Sequence, residues 1–154
     1  MDRQNAYRVD IVSDTHGTLS PTLLRELKGA SLIIHAGDMT SEEDYEYLKM
    51  IAPVRAVLGN NDFFYDYGPS VPEVAQFEYK GVTFAVSHYR ENLPIGKVDV
   101  AVCGHTHRCE RTQVGSCLVI NPGSATFPRG SRGATIARLY IKDGNVISDE
   151  FIDL

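Results

Sequence analysis

Two short motifs limit what this chain can fold into more than anything else in it. Asp14-Thr15-His16 follows the apolar run Tyr7–Val12, and His105-Thr106-His107 follows a second such run at residues 98–103. In each, two potential metal ligands stand two residues apart, a spacing that aims both the same way on an extended backbone and splays them on a helix. The sequence therefore predicts two strand ends, where open α/β sheets place their ligands. Pairs of this kind from distant parts of the chain point to two metal ions that carry the chemistry.

The segments between the motifs predict the scaffold. Ser20 caps a short helix with Pro21 at its first position, Leu23, Leu24 and Leu27 as its apolar stripe and Gly29 as its stop. Residues 31–36 read as a strand running into Gly37-Asp38, which completes a strand-helix-strand unit. Ser41 caps a second helix, with Glu42, Glu43 and Asp44 at its positive end and Tyr45, Leu48 and Met50 or Ile51 turned inward, before Pro53 ends it. A third strand at 54–58 meets Gly59-Asn60-Asn61-Asp62, so three strands in succession finish at residues able to bind a ligand.

The second half reads differently. Val74–Tyr79 and Val82–Ser87 form a hairpin turning at Lys80-Gly81 with His88 at its exit, and strands at 112–114 and 117–121 precede a last hairpin of 134–141 with 146–152. Early strand-helix-strand units followed by hairpins predict an α/β fold of two β-sheets packed face to face, flanked by helices, in a single domain over residues 1–154.

A net charge of −5 argues against broad nucleic-acid binding, which needs a basic face, and leaves a small nucleotide-like substrate open. Cys103, Cys109 and Cys117 cannot all pair and none sits in a CxxC arrangement, which suits reduced thiols. The polar start Met1-Asp2-Arg3-Gln4-Asn5 lacks the apolar core of a signal peptide, and no apolar run approaches the roughly 18 residues of a membrane span. A cytoplasmic location is expected, with no membrane partner.

Taken in order, Asp14, His16, Asp38, Asn60, His88, His105 and His107 resemble the ligand series of the calcineurin-like metallophosphoesterase superfamily, D-x-H, G-D, G-N-H-D, a lone His and G-H-x-H. The tail Asn121-Pro122-Gly123-Ser124 with Pro128-Arg129 resembles the small phosphodiesterases of the YfcE type. The resemblance implies an αββα sandwich of mixed sheets and a binuclear centre. Asp14, His16 and His107 would hold one divalent ion, Asn60, His88 and His105 the other, and Asp38 would bridge them. Mixed imidazole and carboxylate ligands suit manganese, the first choice, or Fe, Zn, Ni or Co. The implied reaction is hydrolysis of a small phosphodiester or nucleotide-like substrate by in-line attack of a metal-bridging hydroxide. A homo-oligomer would fit the family.

The chain departs from the pattern at two places. Asn61 replaces the histidine credited with protonating the leaving group, so Asn60, Asn61 and Asp62 are the catalytic candidates and diesters with acidic leaving groups the expected substrates. Residues 89–97 are too short, and too broken by Pro94, for the helix that relatives carry there. That leaves Tyr89, with Arg129, as candidates for touching substrate. His35 is set aside as a ligand and read as a core residue or as a support behind the ligands. The rival reading is a non-catalytic scaffold, similar to the small retromer subunit, that binds protein partners.

Overall fold

From Val9 onward the run Tyr7–Val12 is buried on both faces, as a strand must be when a sheet covers one side and helices the other. Val9 and Ile11 pack into one apolar cluster and Val12 into a second. The computed structural model describes residues 3–154, so the polar start at Met1 and Asp2 lies outside the described residues. In chain order the elements are β1 (Tyr7–Val12), α1 (Pro21–Leu27), β2 (Leu32–His35), α2 (Glu42–Ile51), β3 (Val54–Ala56), β4 (Val74–Tyr79), β5 (Val82–Ser87), β6 (Val100–Val102), β7 (Cys109–Val114), β8 (Cys117–Pro122), β9 (Thr135–Lys142) and β10 (Asn145–Asp153).

They form two mixed five-stranded sheets, β10-β9-β1-β2-β3 and β4-β5-β6-β8-β7. β1, β2 and β3 run parallel, so their C-terminal ends share one edge; β5, β6 and β8 are likewise parallel. Between the sheets lie Val9, Ile11 and Ile34 from the first and Phe84, Val100, Val102 and Ile120 from the second. The hairpins turn at Lys80-Gly81 and Asp143-Gly144, each pair at positive φ, the geometry that matches strand twist.

Both helices start as the sequence implies. Ser20 Oγ accepts the Leu23 N–H at 3.1 Å and Ser41 Oγ the Asp44 N–H at 3.1 Å. Leu23, Leu27, Tyr45 and Leu48 then pack on Val12, Ile33 and Ile136, which places both helices on the outer face of the first sheet. Of the two alternatives at the end of α2, Ile51 packs inward and Met50 stays 82% exposed. Asp10, fully buried on this face, accepts hydrogen bonds from Arg138 and Arg8 at 2.8 and 2.9 Å, and Arg138 reaches on to the Glu26 carbonyl of α1.

Among the described residues no α-helix covers the outer face of the second sheet. Leu93, Ile95 and Val98 cover Ala85, Ala101, Cys103, Cys117 and Val119 instead, from a segment whose only helical part is a single 3-10 turn, Arg90–Asn92. The fourth layer of the sandwich is thus a loop, as the break at Pro94 predicts. No helix among the described residues is long and apolar enough to cross a membrane.

Candidate metal centre

The loops beyond β1, β2 and β3 meet at one edge, and their backbones bind one another. Asp14 N–H donates to the Gly37 carbonyl and His16 N–H to that of Asp38, both at 3.0 Å. The expectation of extended backbone through the D-x-H and H-x-H pairs is corrected here. β1 stops at Val12 and β6 at Val102, and Asp14, His16, Asp38, His105 and His107 all stand at positive φ, from 48° to 74°. Among the described residues nine non-glycine residues adopt such angles and five are these, so left-handed backbone, not strand pleating, turns the ligands inward.

Their side chains converge. Asp14 Oδ1 lies 3.2 Å from His107 Nε2, 3.8 Å from His88 Nε2 and 3.9 Å from His16 Nε2. Asp38 Oδ2 stands 3.4 Å from His88 Nε2 and 3.7 Å from His16 Nε2, between the two halves of the cluster. Asn60 Oδ1 reaches His88 Nε2 at 3.1 Å. Two groups have ligand atoms close enough to hold an ion, Asp14 with His16 and His107, and Asp14 with Asp38 and His88. His105 belongs to neither. Its ring lies 5.1 Å from that of His88 and 4.8 Å from that of Tyr89, and its backbone N–H donates to Asp14 Oδ2.

Hydrogen bonds fix which imidazole nitrogen faces inward. His88 Nδ1 donates to the Ala36 carbonyl at 2.7 Å and His107 Nδ1 to the Phe127 carbonyl at 2.6 Å, which leaves each Nε2 lone pair aimed at the carboxylates. Asp14 Oδ1 is buried and accepts no hydrogen bond among the described residues. Lone pairs of buried carboxylate and imidazole facing each other repel unless a cation lies among them, so this donor set fits divalent metal. The electrostatics agree. Burial pushes the Asp38 carboxyl up, but the neighbouring His88 imidazole and the N–H groups of Asn61 outweigh it and hold it well below the usual range. Burial pushes His88 down, yet the Asp38 and Asp14 carboxylates win and raise it, so the site favours positive charge.

The remaining candidates have other work. Asp62 was expected among the catalytic groups, but it is fully buried, and its carboxylate accepts the N–H groups of Asp38, Thr40 and Gly59 and the hydroxyl of Tyr67, at 2.7 to 2.9 Å. It shapes the loops and has no oxygen left for substrate. Asn61 donates its backbone and side-chain N–H groups to the two oxygens of Asp38, both at 2.9 Å, and so orients that carboxylate. Gly59 permits the approach, since a Cβ there would collide with the Asp38 amide and carboxylate. Tyr89 sits edge-on to His88 at the rim, and Arg129 is exposed with its N–H on the His107 carbonyl.

His35 supports the ligand loops from behind. Fully buried, it accepts the Gly37 N–H on Nδ1 and donates from Nε2 to Thr15 Oγ1, tying two ligand loops together. Burial pushes it down to about 4, which keeps it neutral. Asn121 and Ser124 also escaped a firm assignment. Asn121 Nδ2 holds the Gly104 carbonyl at 3.0 Å and Ser124 Oγ that of Asp14 at 2.7 Å, so the tail motif buttresses both ligand pairs. Phe127, whose ring stands 5.8 Å from that of His16, carried no sequence signal.

A cluster of candidate metal ligands at the strand ends of two packed mixed sheets fits the metallophosphoesterase class, and residues 8–144 match the calcineurin-like phosphoesterase superfamily domain, to which the chain belongs. Among its relatives, a probable metallophosphoesterase from Methanothermobacter thermautotrophicus is 30% identical over 79% of this chain and 78% of its own length. The solved structure of YfcE, a phosphoesterase from E. coli, superposes with a TM-score of 0.68 at 25% identity, over 93% of this chain and 98% of that one. Vacuolar protein sorting 29 from Cryptosporidium parvum shares the fold with a TM-score of 0.73 at 20% identity, over 97% and 99%.

Proposed function

We propose that this phosphoesterase acts on small phosphodiesters with the help of two divalent cations, manganese first among them. One observation carries the reading: the buried Asp14 Oδ1, without a hydrogen bond among the described residues, faces imidazole lone pairs while Asp38 Oδ2 stands between His16 and His88. Asp14, His16 and His107 would hold one cation, and His88 and Asn60 the second, with Asp38 shared. His105, at the exposed rim beside His88, completes the second set with a turn of its side chain. When bound, such ions polarise phosphoryl oxygens and acidify water.

The chain's own residues then do the positioning. Asn61 holds Asp38, and Asp62 ties the loop that carries Asp38 to its own. Neither can protonate a leaving group, since an amide has no proton to give up and Asp62 is enclosed. Esters whose leaving groups depart as stable anions are therefore preferred, as aryl and nucleotide-like diesters are. Tyr89 and Arg129 border the centre on the side of His105 and of His107 respectively.

The test is metal analysis of the purified protein with a panel of diesters, cyclic nucleotides and alkyl monoesters, with and without manganese. Wild type should hydrolyse aryl diesters only with metal, and His107→Ala and Asn60→Ala should lose at least about 100-fold. A preference for alkyl monoesters, or turnover indifferent to chelator, contradicts the proposal. The scaffold reading draws on the fold shared with the vacuolar sorting protein and on Phe63 and Phe64, which are 64% and 98% exposed. Absence of turnover with every metal would favour it.

A further inference from the structure

Next to His107 a cavity of about 300 Å³ opens between the strand that begins β7 and the loop at 129–133. Arg108, Arg129 and Arg132 line it, and Glu110 is its one acidic residue. In a chain of net charge −5 this is a concentration of positive charge, and most arginines elsewhere are neutralised. Arg3, Arg8, Arg111 and Arg138 each hold a carboxylate, and within the cavity Arg132 is held by Asp153 at 2.8 Å. The guanidinium groups of Arg108 and Arg129 make no ion pair or hydrogen bond among the described residues. Arg108 follows a candidate metal ligand directly, and the Arg129 N–H is bonded to that ligand's carbonyl at 2.9 Å, so the cavity shares a wall with the centre.

We propose that this cavity is a subsite for a second phosphoryl group, so that the preferred substrate is a linear nucleotide diester carrying a phosphate beyond the bond that is cut. The inference rests on the phosphodiesterase reading and narrows its substrate class. Two unpaired guanidinium forks match phosphate oxygens in geometry and charge, whereas a simple aryl diester offers them nothing. The volume is that of a small ligand pocket, enough for a phosphate and part of its sugar. The positive field of these arginines also offsets the chain's overall negative charge as an anionic substrate approaches.

The experiment compares kcat/KM of the manganese-loaded protein on dithymidylate with and without a 5′-phosphate, on trithymidylate and on a bis-aryl diester. Wild type should favour the 5′-phosphorylated dinucleotide over the plain one by about tenfold, mostly through KM. An equal or greater preference for trithymidylate also supports the subsite and names the next link of a strand as its occupant. The ratio should fall to near one in the Arg108→Ala/Arg129→Ala double variant and below one in Arg108→Glu, and it should persist in Arg25→Ala, which removes the same charge from α1. Reading the ratio within each variant cancels any general loss of activity. A wild-type ratio near one, or a ratio that survives the double variant, overturns the subsite while hydrolysis of the bis-aryl diester leaves the phosphodiesterase reading standing. No hydrolysis of any diester overturns both.

Discussion

Replacing His35 with asparagine separates a titrating tie from one that does not titrate. In the structure His35 is neutral, accepting the Gly37 N–H on Nδ1 and donating to Thr15 from Nε2. Burial depresses it from 6.5 to about 4. Above pH 6.5 neither the folded nor the unfolded chain protonates it and its contribution is complete. Between 6.5 and about 4 only the unfolded chain takes the proton, so stability falls as pH falls through this window and levels off below it. The loss amounts to about 2.5 kcal/mol by pH 4.5 and about 3 kcal/mol in full. Asp38, whose pKa is lowered, gives up its contribution only as pH drops below 3.8, and His88, whose pKa is raised, only as pH rises above 6.5. The amide that His35→Asn introduces keeps the Gly37 N–H bond through Oδ1 in the place of Nδ1, falls short of Thr15 at every pH, and does not titrate. Urea unfolding in chelator at about pH 7 and about pH 4.5 should therefore show wild type losing about 2.5 kcal/mol more than His35→Asn across that interval. Equal losses in the two proteins would refute a neutral, buried tie.

Gly59→Ala puts a methyl group into the Asp38 amide and carboxylate, and should cost about 1 to 3 kcal/mol in unfolding experiments and at least about 100-fold in metal-dependent turnover. In Asp10→Ala the Arg138 guanidinium, only 8% exposed, loses its nearer carboxylate; a cost of about 3 kcal/mol is expected by chemical denaturation, since the Glu26 carbonyl and carboxylate remain beside it. Asp62→Asn turns an amide N–H₂ toward donors that now meet oxygen, so stability should drop by about 2 to 3 kcal/mol and metal affinity by about tenfold, measured by calorimetry.

Much of the scaffold was legible because it rests on local chemistry. Ser20 and Ser41 cap, Pro53 stops, and Lys80-Gly81 and Asp143-Gly144 turn, each through a preference that a few neighbouring residues decide. The convergence of Asp14, Asp38 and His88 followed from each standing at a strand end. How they converge was not visible, because the left-handed backbone at Asp14 and His107 is held by hydrogen bonds to Gly37, Ser124 and Arg129, distant in sequence. Asp62 shows the same limit. A carboxylate beside a ligand motif reads as chemistry until the loop is closed and four donors are found around it. Nor does a strand pattern reveal that Asp10 and Arg138 will face each other across β1 and β9, since such pairing is fixed only when the two ends of the chain meet.

The placement of β1 between β2 and β9 has a consequence for biosynthesis. On the ribosome the opening strand emerges early with one neighbour, while its other flank, an unsatisfied row of amides and carbonyls, must wait for residues 135–142. Ser124, which clamps the first ligand loop, arrives late as well. The candidate ligands and the contacts that hold them are complete only once the chain has been made past Arg129, so early capture of metal is discouraged by the order in which the polypeptide is made.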